Sequence, residues 1–243
     1  MTTFLAGIGT TLVPGADPKH GPLPPLLVGL TIVTGLVDAF SYLGLGHVFV
    51  ANMTGNVIFL GFALAGSPGF SIGASAVALA SFWLGAFVGG AVGSRLGEHR
   101  GRHLAGAVTL EALLVTLALV LAAVSGAPFA AGYRYPLIVA LAVGMGLQNA
   151  TARKLAVPDL TTTVLTLTIT GTAADSSMVG GNGSSLGRRF ISVSAMFVGA
   201  LVGALLVVHG MTAGPLAIAV GTLCLMGVVV AKSARTEAPW VHP

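Results

Sequence analysis

Asn52-Met53-Thr54-Gly55-Asn56 interrupts an apolar chain with two amides, a hydroxyl and a glycine, shortly after Asp38-Ala39. A second polar run, Thr161-Thr162-Thr163-Val164-Leu165-Thr166-Leu167-Thr168, stands at the corresponding place in the second half, shortly after Asn149-Ala150. Paired polar, Gly/Thr-rich interruptions in a duplicated apolar chain point to a transport site, because broken membrane helices free backbone groups for a solute.

Composition fixes the solvent. Charged residues are 7% and apolar residues 55% of the 243, against roughly 25% charged in a soluble domain. Such a chain cannot cover itself with a water-compatible surface, so an all-α polytopic membrane protein is expected. The formal net charge of +4 lies in connections, where it reports orientation rather than nucleic-acid binding. Cys224 is the single cysteine, so no intrachain disulfide can form. Met1 to Pro22 lacks a basic start and a cleavage site, so no removable signal peptide is expected. The prolines from Pro14 to Pro25 mark residues 1–24 as an irregular tail.

Eight apolar segments can be read, at 25–45, 47–66, 70–94, 104–125, 135–153, 158–174, 190–209 and 214–231. Basic residues concentrate on the cytoplasmic side, which decides how many segments cross. With eight crossings, Lys19, Arg134, Arg188, Arg189, Lys232 and Arg235 face inwards, and Arg95, Arg100, Arg102, Arg153 and Lys154 face outwards. That arrangement has no bias. If the second and sixth segments enter and leave by one face, only Arg134 remains outside. The expected architecture is therefore six full spans plus two re-entrant or broken segments, as two inverted three-span repeats at 25–126 and 127–232. Residues 233–243 form a cytoplasmic C-terminal tail, and the N-terminus is cytoplasmic too. Eight full spans is the alternative.

The halves superpose in sequence. Gly35, Asp38 and Ala39 match Gly146, Asn149 and Ala150 at an offset of 111; Thr54 matches Thr166 at 112; Gly85 and Gly89 match Gly199 and Gly203 at 114. A common order at a nearly constant offset indicates duplication. The Gly-xxx-Gly pairs let helices approach closely, within the chain or through a homodimer contact.

Polar residues within apolar segments are the candidate site. An ionised Asp38 is costly there unless paired or hydrated, so it either couples a proton or cation or holds the fold by accepting backbone hydrogen bonds. Asn52, Thr54, Gly55 and Asn56 offer uncharged donors, acceptors and backbone freedom to a solute, as do Gln148, Asn149, Thr163 and Thr166. Threonine hydroxyls also bond back to their own helix, so a Thr-rich segment need not bind anything. Glu111 is a second candidate for proton coupling, or it snorkels to the cytoplasmic face. Asp159 and Asp175 read as helix caps, and the Gly-rich stretch 180–187 as a loop. The histidines show no metal spacing. No cofactor fingerprint and no nucleophile–base pair is visible, so neither cofactor, metal nor enzymatic activity is expected.

With these residues in hand, the chain resembles the YoaK-like family of bacterial membrane proteins, also described as domain of unknown function 1275. The resemblance rests on Gly35-Leu36-Val37-Asp38-Ala39, Phe49-Val50-Ala51-Asn52-Met53-Thr54-Gly55-Asn56, Gly146-Leu147-Gln148-Asn149-Ala150 and Thr162-Thr163-Val164-Leu165-Thr166. It covers residues from about Pro25 to Ala231. Family members tend to carry glycine after that second threonine, where this chain has Leu167. The resemblance implies an integral protein of the bacterial inner (plasma) membrane, sometimes labelled a transporter. A small secondary transporter for a small solute or ion is the expected function; a passive channel and a non-transporting scaffold or sensor are the alternatives.

Overall fold

A computed structural model describes residues 2–96, 98–163, 165–175, 185–235 and 237–242. Among them the chain is helical: α1 (Thr2–Leu12), α2 (Leu23–Gly44), α3 (Met53–Leu64), α4 (Ile72–Leu96), α5 (Arg100–Ser125), α6 (Ala131–Leu155), α7 (Leu165–Ala174), α8 (Leu186–Val208) and α9 (Gly214–Ser233). A short 3₁₀ turn, Pro239–Val241, follows. Six of these helices, α2, α4, α5, α6, α8 and α9, are long and apolar enough to cross a membrane. Twelve residues in α3 and ten in α7 give helices of about 18 and 15 Å, well short of a ~30 Å hydrocarbon layer. Among the described residues there are therefore six candidate spans.

Local sequence sets the helix ends. Proline in the first turn starts α2 without wasting an amide. Beyond Gly44, left-handed backbone at Gly46 (φ +85°) and His47 (φ +56°) turns the chain back. At the corresponding end of α6, left-handed Ala156 (φ +52°) and Asp159 (φ +61°) do the same. Asn52 caps α3, its Oδ1 accepting from Gly55 N at 3.4 Å.

The N-terminal segment differs from the irregular tail expected. Residues 2–12 contain no proline, since the first is Pro14, so nothing stops a helix before that point. α1 packs on α8 at a glycine crossing, where a Cβ on Gly187 would stand 2.5 Å from the Phe4 carbonyl oxygen. The loop expected at 180–187 lies outside the described residues through position 184.

The closest crossings join the halves. α4 packs on α6 and α2 on α8, each through facing glycines. A Cβ on Gly85 would strike the Val143 carbonyl, and one on Gly146 the Phe82 carbonyl. In the other crossing, a Cβ on Gly199 would strike the Ile32 carbonyl, and one on Gly35 would stand 2.5 Å from the Met196 carbonyl oxygen. One turn on, Cβ atoms on Gly89 and Gly203 would meet Ala150 Cβ at 2.8 Å and Ala39 Cβ at 2.9 Å. The glycines of these Gly-xxx-Gly faces are buried inside the chain. α5 and α9 pack on each other, α5 also on α6 and α9 on α2. Trp83, Phe87, Phe197 and Leu225 are exposed on the outer helices, as suits a lipid-facing surface.

The two short helices are fastened differently. Around α3, Tyr42, His47, Phe49, Phe59, Phe62 and Phe70 form one aromatic cluster, with Tyr42 and Phe49 stacked at 4.8 Å and Phe59 and Phe70 at 5.1 Å. Within it His47 Nδ1 bonds the Gly69 carbonyl at 3.1 Å, joining the connections on either side of α3. Around α7 the fastener is ionic. Arg189 of α8 reaches Asp159 at 2.9 Å and Asp175 at 2.8 Å, the two ends of the segment. The guanidinium crosses at Gly171, where a Cβ would stand 2.6 Å from Nη1. Asp159 and Asp175, expected to cap helices, are thus ion-pair partners of a residue on another element.

Candidate functional site

Between the two crossings lies a cavity of about 680 Å³. α2 contributes Thr34, Gly35 and Asp38, and α6 contributes Asn149. The start of α3 adds Asn52, Met53, Thr54 and Gly55; the start of α7 adds Thr163, Leu165 and Thr166. Positions matched by the sequence offsets face the cavity in pairs: Asp38 with Asn149, Ala51 with Thr163, Met53 with Leu165, Thr54 with Thr166, and Phe82 with Met196. Seven residues expected at the site, Asp38, Asn52, Thr54, Gly55, Asn149, Thr163 and Thr166, do line one space.

Asp38 shapes this space. Its Oδ1 accepts from Val50 N at 3.0 Å and Ala51 N at 2.8 Å, tying α2 to the loop that leads into α3. Asn149 does the equivalent with different chemistry. Its Oδ1 accepts the Thr163 hydroxyl, and its Nδ2 donates to the Met145 carbonyl at 3.0 Å. A carboxylate and an amide at matched positions each hold the chain ahead of a short helix while facing the cavity.

Three other expected site residues lie elsewhere. Asn56 is fully buried and does not line the cavity. Its Oδ1 accepts from Phe49 N at 3.0 Å and its Nδ2 donates to Phe49 O at 2.6 Å, so both polar ends serve the loop. Gln148 is also buried, its Nε2 donating to Thr34 Oγ1 at 2.8 Å. It stands behind the cavity wall rather than in it. Glu111 is buried against α6 beside Gly144; it neither snorkels nor reaches the cavity.

The sequence reading missed Thr34, Phe49, Phe82 and Met196. Thr34 precedes Asp38 by one helical turn and so shares its face, which could have revealed it. Phe82 and Met196 each stand three residues before the glycine of their crossing, a signal visible only once the repeat is aligned.

A second cavity of about 570 Å³ shares Phe82 and Asn149 with the first and continues past Ala150 and Arg153 to Val157 and Thr161. Phe82 and Asn149 therefore stand between the two spaces. A third, of about 270 Å³, is lined by Gly93, Ser94, Glu98, Arg100, His103, Lys154 and Leu155.

The chain is 34% identical over 152 residues to the UPF0700 transmembrane protein YoaK of Bacillus subtilis (strain 168), covering 63% of this chain and 66% of that one. It thus spans just under two thirds of the length of the curated relative it matches. No solved structure matches it. The six apolar helices together with this relative make it a multi-pass membrane protein in contact with the lipid bilayer. The profile of a family described as protein of unknown function (DUF1275) matches residues 26–230, and the chain, YoaK-like in sequence, belongs to that family.

Proposed function

We propose that this protein is a small secondary transporter of the bacterial plasma membrane, moving a small polar solute or ion through the central cavity between two inverted three-span repeats. One observation carries the reading: corresponding residues of both halves wall a single polar cavity, and each half brings the first turn of a short helix to it. The exchange of partners, α4 on α6 and α2 on α8, supports a two-fold relation between the halves. The distribution of Lys and Arg supports inversion with both termini cytoplasmic. Asp159 and Asp175 meet at Arg189, and the connections flanking α3 meet at His47 and Gly69; both support segments that return to the face they entered.

The chemistry follows from the walls. The N-terminal turns of α3 and α7 present amide groups and the positive ends of two helix dipoles, which favour an electron-rich group on the solute. Asp38 favours a donor or a cation, and it serves as the coupling group for a proton or cation. A cavity of this size suits a small solute. The second cavity, running towards Arg153, is the cytoplasmic vestibule, and Phe82 and Asn149 are its inner gate. We read the site as one of passage rather than of an enzyme.

Counterflow in proteoliposomes tests this reading with a panel of amino acids, polyols and monovalent ions. A transporter accumulates one of them with trans-stimulation, and Asp38→Asn abolishes the accumulation or its pH dependence. Unchanged uptake and pH dependence in Asp38→Asn remove Asp38 from the mechanism. Uptake without trans-stimulation makes the protein a passive channel, a second reading favoured by two short helices meeting at one cavity. Sidedness is tested in a Cys224→Ser background: Ser67→Cys should label only from outside and Lys154→Cys only from the cytoplasm. Labelling of position 67 from the cytoplasm would sink the inverted arrangement.

A further inference from the structure

Glu111 is buried on α5 with its Oε1 lacking any hydrogen-bond partner. It faces α6 at Gly144, where a Cβ would stand 3.8 Å from Glu111 Cγ. One turn along the same face of α6 is Gln148, equally buried, whose Oε1 also lacks a partner. The other end of that amide donates to Thr34 Oγ1, and Thr34 donates to the Leu30 carbonyl at 3.0 Å. Thr34 lines the central cavity one turn before Asp38.

Glu111 Oε1 and Gln148 Oε1 are buried acceptors without partners on two helices packed together, and leaving each unpaired is costly. One proton satisfies both. As the acid, Glu111 has an O–H to donate to Gln148 Oε1. Every hydrogen then points one way, from Glu111 to Gln148, from Gln148 to Thr34, and from Thr34 to Leu30. When Glu111 gives its proton to water, the chain reverses. The Gln148 amide turns over, its Nε2 donates to the carboxylate, and its Oε1 accepts the Thr34 hydroxyl, which leaves Leu30. No bond forms or breaks except the O–H of Glu111.

We propose that Glu111 is a proton site outside the cavity, and that Gln148 passes its protonation state to Thr34 in the cavity wall. The proposal rests on reading that cavity as the transport site. It adds to Asp38 a second proton site, at a position where no solute can compete for the proton. Among the described residues, the groups on the elements around α5 stand apart from Glu111. α4 carries Arg95 in its last turn; α6 carries Tyr133, Arg134, Tyr135, Arg153 and Lys154, each at least nine residues from Gly144. α9 carries Lys232 in its last turn and an exposed Cys224, the 3₁₀ turn has no titratable side chain, and His242 follows it. On α5 itself Arg100, Arg102 and His103 lie two or more turns towards its start. His103, also buried and with Nε2 unpartnered, opens on the 270 Å³ polar cavity with Glu98, Arg100 and Lys154.

Infrared difference spectroscopy of the purified protein across pH reads this directly. The wild type should show the carbonyl band of a protonated buried carboxylic acid, retained in Asp38→Asn and absent from Glu111→Gln. Gln148→Leu should shift that band, because the acid loses its acceptor. Should Glu111→Gln not fold, Glu111→Asp should move the band instead of removing it. Absence of the band from the wild type, or a band unmoved by both Gln148→Leu and Glu111→Asp, overturns the proposal. None of these bands depends on transport. A protein that shows them and moves no solute refutes the transport reading alone, and one that transports without them refutes the proton site alone.

Discussion

The backbone carbonyl of Val143 occupies the place that a side chain on Gly85 would need. No rotamer change relieves such a clash, because the obstructing atom is main chain. Gly85→Ala and Gly199→Ala should each force a crossing apart and destabilise the protein by about 1–3 kcal/mol, the range for overpacking. Gly90→Ala, on the same helix as Gly85 with nothing near its Cβ, should be neutral or stabilising by up to ~1 kcal/mol through helix propensity. Thermal unfolding in detergent compares the three.

Asn56 and Thr54 separate scaffold from lining. Asn56→Ala strips partners from both Phe49 N–H and Phe49 C=O, and each unsatisfied buried group costs about 1–3 kcal/mol. Thr54→Ala removes an exposed hydroxyl at the cavity and should leave the unfolding midpoint nearly unchanged. Equal losses in the two variants would contradict the clamp.

The ionic fastener of α7 should respond to salt and to substitution. Arg189→Gln removes both bonds that tie residues 159 and 175. Hydrogen exchange over residues 165–174 should then quicken, and high salt should produce a weaker version of the same effect on the wild type. Gly171→Val should act like Arg189→Gln by displacing the guanidinium. Exchange at α3, fastened by aromatic rings, should be indifferent to salt.

Much of this was legible in the residue types. Apolar run lengths alone give eight segments. The placement of Lys and Arg reduces the expected spans to six, and six helices are long enough to cross, whereas helix α1 is not anticipated. Asp38, Thr54, Asn149, Thr163 and Thr166 stand out as polar groups in apolar surroundings, and the structure gathers them. Phe82 and Met196 do not stand out, because an aromatic ring or thioether in an apolar helix looks the same whether it faces lipid or a cavity. Asp159 and Asp175 look like caps until α8 brings Arg189 between them. Asn56 carries the same chemistry as Asn52, and only three-dimensional placement gives one to the loop and the other to the cavity.

Asp17 makes stability depend on acid. Burial pushes its carboxyl up, but Arg188 at 2.8 Å and the N–H groups of Lys19 and His20 more than offset this, holding it below the usual carboxylate range. A carboxyl held low in the fold stabilises above its unfolded pKa of about 3.9, and that contribution is lost as pH falls through the folded value. Asp17→Asn should therefore unfold at a lower temperature than the wild type near neutrality and converge with it in acid. A constant difference at every pH would show that the ion pair contributes nothing.

Partner exchange between the halves also dictates an order of assembly. α2 finds its closest partner on α8 and α4 finds its own on α6, so a chain emerging from the ribosome leaves Gly35 uncovered until Gly199 has been synthesised. Helices of the first half must wait, side by side in lipid, for partners not yet made. A chain cut after residue 126 is therefore not a smaller version of this protein but an unfinished one.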